Sequence, residues 1–116
     1  MAAALHPVIA VRLFRDERCY GAGIDTLLRG VEELHSLRAS AQAMGMAYSK
    51  AWTTVRRCEA QLGFPLLVSA VGGRNGGGAS LTPEARAMMA AYERYTSALL
   101  KTAEALFQQE FGEFLK

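Results

Sequence analysis

Five of the seven residues from Gly72 to Gly78, GGRNGGG, are glycine. Glycine loses more backbone freedom on ordering than any other residue, so this run predicts neither helix nor regular strand. What flanks it is patterned. Phe64-Pro65 leads into LLVSAV (Leu66 to Val71), whose apolar and β-branched residues predict a strand. Ala79 to Leu81 can return antiparallel. Residues 66–82 therefore predict a hairpin with a long glycine tip presenting Arg74 and Asn75. An arginine there can reach a phosphate or enter a minor groove.

The stretch before the hairpin, about residues 36–63, predicts two helices joined by a tight turn. The first runs from about Leu37 to Met44, with Ala39, Ala41 and Ala43 small enough for a close helix neighbour. Gly45 can take a left-handed turn without a Cβ clash, and Met46 points back to the core. The second helix starts near Ala47 or Tyr48 and stops at Gly63. At about 100° per residue, Ala51, Val55, Cys58 and Leu62 form its buried stripe. Opposite lie Ser49, Thr53, Arg56 and Ala60, flanked by Lys50 and Arg57. Tyr48 and Trp52 border the core on the other edge, and Glu59 lies toward Trp52.

That outer face offers two hydroxyls, a methyl and three cations, with no acid. It suits a helix lying in a DNA major groove, where N-terminal residues meet base edges and cations meet phosphates. In this reading Ser49, Lys50, Thr53 and Arg56 face bases or nearby phosphates. Tyr48, Arg57, Arg74 and Asn75 hold the backbone or the groove edge, and Trp52 clamps the core rather than stacking on a base.

The flanks predict scaffolding. Val8 to Phe14 reads as a strand, with Cys19-Tyr20 as a short return and Gly21-Ala22-Gly23 as a break. A helix follows from about Ile24 to His35, with Ile24, Leu27, Leu28, Val31 and Leu34 on one face. Thr82-Pro83 opens a last helix, about residues 83–110. Thr is a good N-cap, Pro suits the first helical position, and Glu84 complements the dipole. Met88, Tyr92, Tyr95, Leu99, Ala103 and Leu106 form an a/d-like stripe on it, widened by Met89, Leu100 and Phe107. One domain of 116 residues has little left to cover so long a stripe, which predicts a homodimer through Met88, Tyr92, Tyr95, Leu99 and Leu106. The fold class is mainly α (α+β), a single winged helix-turn-helix domain.

Charge agrees in its distribution rather than its sum. The formal net charge is only +2, but residues 29–74 carry six basic side chains against three acidic ones. Residues 83–116 carry four against five. The surplus sits on the helix-turn-helix and wing, a weak pointer to an anionic partner. Cys19 and Cys58 lack metal-ligand spacing; a disulfide and two free thiols both stay open, the thiols being the simpler reading. His6 and His35 have no ligand partners around them, so no metal and no other cofactor is expected. The apolar N-terminus lacks a basic lead and contains His6-Pro7, unlike a signal peptide. No run approaches the ~20 apolar residues of a membrane helix, so the cytoplasm is the expected location. A phosphate-cradling loop would need the P-loop lysine and a following Ser/Thr, both missing. No Ser/His/Asp, Cys/His or paired-carboxylate set is evident, so no catalytic residue is assigned and no enzyme is expected.

The residues Met46-Ala47-Tyr48-Ser49-Lys50-Ala51-Trp52 resemble the M-S-Y-x-x-A-W turn and recognition helix of the ModE family, molybdate-responsive winged-helix regulators. Gly72 to Thr82, GGRNGGGASLT, resembles that family's T-G-G-x-x-G-G-G-A-x-L-T wing, in the same order and at similar spacing. The likeness covers roughly residues 8–100. It implies a winged helix that binds double-stranded DNA and regulates transcription, usually as a dimer. LysR-type regulators share the looser Glu59-x-x-Leu62-Gly63-x-x-Leu66 and Leu81-Thr82 pattern but not the wing, so a LysR-like truncated regulator is the alternative within the class. Outside it, the scaffold could serve protein interaction through the amphipathic last helix. The family's molybdate-binding domains lie C-terminal, and a single helix follows the wing here, so molybdate binding is not expected from this chain. Two departures matter. Where the family often has Gly-Ser-Ile-Ser, this chain has His35-Ser36-Leu37-Arg38; either Ser36 caps the helix or a cap of ~1 kcal/mol is lost. Arg38 near a helix N-terminus is unfavourable unless a phosphate sits there. Val71 replaces the wing's first Thr.

Overall fold

The structure, a computed structural model, describes residues 3–69 and 78–116. The elements run β1 (Leu13–Phe14), β2 (Arg18–Tyr20), α1 (Ala22–Leu34), α2 (Leu37–Ala43), α3 (Tyr48–Leu62), β3 (Leu67–Ser69), β4 (Ala79–Leu81) and α4 (Pro83–Phe111), with a 3₁₀ turn at Gly112–Leu115. β1 and β2 pair antiparallel, and so do β3 and β4, as two separate two-stranded sheets. This is a winged helix-turn-helix with an N-terminal hairpin and a long C-terminal helix. The tip of the second hairpin, including Val71, Arg74 and Asn75, lies outside the described residues.

One core serves the three helices of the motif and the root of the wing. Leu27, Leu28 and Val31 of α1 meet Leu37 and Ala41 of α2 and Ala51, Val55 and Cys58 of α3. Leu66 and Leu81 close it from the second hairpin, and Ala85, Met89 and Tyr92 from α4. Tyr20 is fully buried, its ring edge-on to Tyr92 at 5.1 Å and its hydroxyl donating to Asp25 Oδ1 at 2.6 Å. Asp25 is also paired with Arg29 at 2.8 Å, so its burial is compensated. Burial and the Asp25 carboxylate together hold the Tyr20 hydroxyl protonated well above the usual tyrosine range.

α1 and α2 approach closely at a residue the sequence did not single out. A Cβ built on Gly30 would stand 2.0 Å from Ser40 Oγ and 2.8 Å from Ser40 Cβ. The buried Ser40 hydroxyl donates to the Leu27 carbonyl at 2.7 Å, stitching the two helices at that point.

The helix ends follow their capping chemistry. Ser36, not Arg38, caps α2, its hydroxyl accepting from Ala39 N–H at 3.0 Å, so the departure at residues 35–38 is resolved without loss of the cap. Gly45 (φ 66°) adopts the left-handed conformation expected of it, and Gly63 (φ 86°), expected to stop α3, does so in the same conformation. His35 ends α1 in the same region, and its carbonyl accepts from Ala79 N–H at 3.0 Å, tying α1 to the wing. Thr82 caps α4 through Ala85 N–H and donates to the Pro65 carbonyl, fixing both ends of the wing to one residue.

Two expectations need correcting. The strand predicted over Val8 to Phe14 pairs only at Leu13–Phe14, because its three-residue partner offers no more edge and the register shifts between those two residues. Val8 and Ile9 are exposed, and Val11 is held instead by the Tyr92 hydroxyl, which donates to its carbonyl at 2.9 Å. The stripe on α4 also divides. Met88 and Tyr92 pack on the chain's own core, whereas Tyr95 and Leu106 are exposed and Leu99 is half-buried.

Candidate nucleic-acid interface

α3 presents the face its periodicity predicts. Ala51, Val55 and Cys58 are buried, and Ser49, Lys50, Thr53, Arg56, Arg57 and Ala60 are exposed. The turn from α2 is fixed by Met46 N–H, which donates to the Ala41 carbonyl at 2.8 Å, and Met46 packs on the core. α3 then begins at Tyr48 with Ala47 at its N-cap, and no side-chain cap hydrogen bond satisfies its first N–H groups. Thr53 donates its hydroxyl proton to the Ser49 carbonyl at 2.9 Å, so outward it offers lone pairs that can accept from a base amino group.

One flank of this face is a stacked ladder. The Arg38 guanidinium lies 4.1 Å over the Tyr48 ring, and the Arg56 guanidinium 4.5 Å over the Trp52 ring. Between them Trp52 Nε1 donates to the Tyr48 hydroxyl, and the two rings meet edge-on. Tyr48 and Trp52 thus each carry one stacked cation. Arg38 reaches the surface beside α3 in this way, although it sits on α2.

The exception is Glu59, which sequence reasoning left as a bystander. Its Oε1 pairs with Arg56 at 3.1 Å, and its Oε2 accepts from Leu66 N–H at 2.7 Å and Leu67 N–H at 3.4 Å. Its side chain is only 11% exposed. One carboxylate therefore aims an interface arginine and anchors the root of β3 to α3. Its only signal in the sequence was an acid among cations. Glu59→Ala strips the partner from those backbone N–H groups. A loss of about 2 kcal/mol is expected, measured by urea unfolding, with Glu59→Gln recovering part of it.

The other flank carries Lys50, Thr54 and Arg57, and none of the two cations makes an ion pair among the described residues. Behind it Cys58 is 1% exposed, and burial, with the neighbouring Cys19 thiol, pushes its thiol up to about 12. Both cysteines are free. Among the described residues no group of three or more His, Cys, Asp or Glu could hold a metal, and no helix is long and apolar enough to cross a membrane. Of the expected site residues, Ser49, Lys50, Thr53, Arg56 and Arg57 are exposed on α3, Tyr48 is half-buried and Arg38 stacks on its ring; Arg74 and Asn75 fall outside the described residues.

Residues 26–86 match the bacterial regulatory helix-turn-helix proteins of the lysR family. The chain is 33% identical over 99 residues to the molybdenum-pterin-binding protein MopB of Rhodobacter capsulatus, covering 83% of this chain and 37% of that protein. It is 32% identical over 91 residues to the molybdenum transport protein ModE of Azotobacter vinelandii, covering 75% and 34%. The chain therefore matches little more than a third of the length of either relative.

Proposed function

From the premise that the chain belongs to the lysR family of bacterial regulatory helix-turn-helix proteins, with a ModE-like DNA-binding domain, we propose that it is a sequence-specific transcriptional regulator reading duplex DNA as a homodimer. The observation that carries this reading is the exposed face of α3. It combines an uncapped helix start, the Ser49 and Thr53 hydroxyls and the Lys50, Arg56 and Arg57 cations, with Glu59 turned inward to the root of β3. Ser49 and Thr53 meet base edges in the major groove, while the cations and Arg38 take phosphates. The wing tip, with Arg74 and Asn75, grips the adjacent groove. No molybdate role is proposed for these residues; the relatives' molybdenum names belong to far longer proteins.

Binding is tested by fluorescence anisotropy against genomic fragments, with random duplex as competitor at fixed salt. Preference for some fragments at tens-of-nanomolar or tighter affinity is expected; no binding to any fragment rejects the reading. Charge reversal at Arg56 and Arg74 separates it from a protein-interaction role on the same scaffold. Arg56→Glu with Arg74→Glu should weaken DNA binding about thirtyfold at physiological salt and leave self-association intact. Unchanged DNA affinity would favour the interaction role.

A further inference from the structure

A cleft of about 340 Å³ opens between β2, the start of α1 and α3. Its charged lining is entirely cationic, with Arg18 from β2 and Lys50 and Arg57 from α3, and no Asp or Glu contributes to its wall. Thr54 adds a hydroxyl, and Cys19 and Met46 complete the apolar side. None of the three cations makes an ion pair among the described residues, while four other pairs on the molecule use up Arg29, Arg56 and Arg86. Like charges gathered around one concavity repel, so the arrangement is unfavourable in the free protein and favours an anion that fills it.

Arg18 is not there by chance of a loose hairpin. The turn that precedes it is pinned to α3, because Gln61 Oε1 accepts from both Asp16 N–H (2.9 Å) and Glu17 N–H (3.1 Å). On the other side of β2, Tyr20 is locked into the core by Asp25. The strand is thus held at both ends with Arg18 facing the Lys50–Thr54–Arg57 ridge. That ridge adjoins the Ser49/Thr53 face, turned about 60–120° around α3 from it. For a helix in a major groove, this is the direction of the groove wall, where the phosphates of one strand run.

We infer that this cleft is a phosphate seat in which Arg18, Lys50 and Arg57 hold one phosphate-type oxyanion, a backbone phosphate on the wall of the groove that α3 enters. The source named rests on the DNA-binding reading; the oxyanion chemistry does not. The hairpin, otherwise scaffolding, becomes a third arm of the interface beside α3 and the wing.

The test has two arms. In the first, wild type, Arg18→Ala and Arg18→Lys bind duplex across a salt series. Arg18→Ala should lower the slope of log K against log salt by about 0.9 per bound subunit. It should weaken preferred and random duplexes alike, by several-fold, and Arg18→Lys should keep the slope. Arg18 is exposed, so unaltered thermal unfolding serves as the folding control. In the second, the DNA-free protein is titrated with inorganic phosphate, with chloride at matched ionic strength as control, and followed by amide NMR. Saturable shifts at Gly21, Gly23 and Arg57 that vanish in Arg18→Ala support the seat. If only the phosphate arm responds, the seat holds a free oxyanion and the source changes. A slope change without phosphate response supports the backbone phosphate alone. If the wild type binds DNA but Arg18→Ala alters neither arm, the inference is overturned and the DNA-binding reading stands. If the wild type binds no DNA, the phosphate arm alone decides, and its silence overturns the seat.

Discussion

Gly30→Ala should destabilise the domain by about 3 kcal/mol, at the top of the range for forcing one extra carbon into a packed interior. The new methyl would stand 2.0 Å from Ser40 Oγ and 2.8 Å from Ser40 Cβ. The hydroxyl could swing away, but it would abandon the Leu27 carbonyl, and Ser40 is 1% exposed with no water to turn to. The Cβ cannot swing at all. The helices must therefore separate, and α2 carries the turn that aims α3. In a solvated helix the same change would stabilise by about 1 kcal/mol, since alanine is the better helix former; the sign of the result thus reports the close crossing directly. Ser40→Gly removes both clashing atoms. On its own it should cost about 1–2 kcal/mol in helix propensity and the lost hydrogen bond. Combined with Gly30→Ala it should restore a large part of the stability, so the double-mutant cycle has a favourable coupling. Urea unfolding of the four proteins measures all of this, and additive losses would remove the crossing from the account.

What was legible in the sequence was local. Gly45, Gly63 and Thr82-Pro83 punctuate the chain by their own backbone preferences, so the bounds of α3 and the start of α4 could be read directly. The periodicity of α3 likewise gave its buried and exposed sides, because a helix wheel needs no tertiary knowledge. What could not be read depends on residues far apart. Nothing local distinguishes Gly30 from another helix glycine; its constraint comes from Ser40 placed against it. Glu59 looked like a stray acid until β3 folded back onto its carboxylate. Arg18 could not be placed beside α3 until Gln61, more than forty positions later, took hold of the turn before it. The Val8 to Phe14 run shows the converse: its β propensity was real, but a strand needs a partner edge, and β2 offers three residues.

Replacing Tyr95 and Leu106 of α4 by glutamate should convert the proposed homodimer to a monomer and reduce its affinity for an operator-like duplex at least a hundredfold. α4 has 29 residues, a length of about 44 Å, yet its buried residues are Ala85, Met89 and Tyr92, all in its first third. Beyond them Tyr95, Leu100, Leu106 and Phe111 stand about half exposed, and Phe114 63%. The radius of gyration is 17.6 Å, against about 13 Å for a compact chain of this size, so the helix projects from the domain; Leu99, Ala103 and Phe107 are half-buried, while Tyr95, Leu100 and Leu106 stay exposed. A second copy can cover it isologously, each helix offering the same stripe to the other. Two α3 helices would then be presented together, and losing one half-site takes binding from the specific toward the non-specific range. Tyr95 and Leu106 lie within about 20° of each other on the helix and are exposed, at 57% and 53%, so the subunit's own core does not depend on them. Analytical ultracentrifugation reads the assembly state and anisotropy the DNA affinity, while thermal unfolding at low concentration checks that the monomer keeps its fold. A wild type that sediments as a monomer at micromolar concentration would overturn the dimer, and a variant that stays dimeric would move the interface to another face.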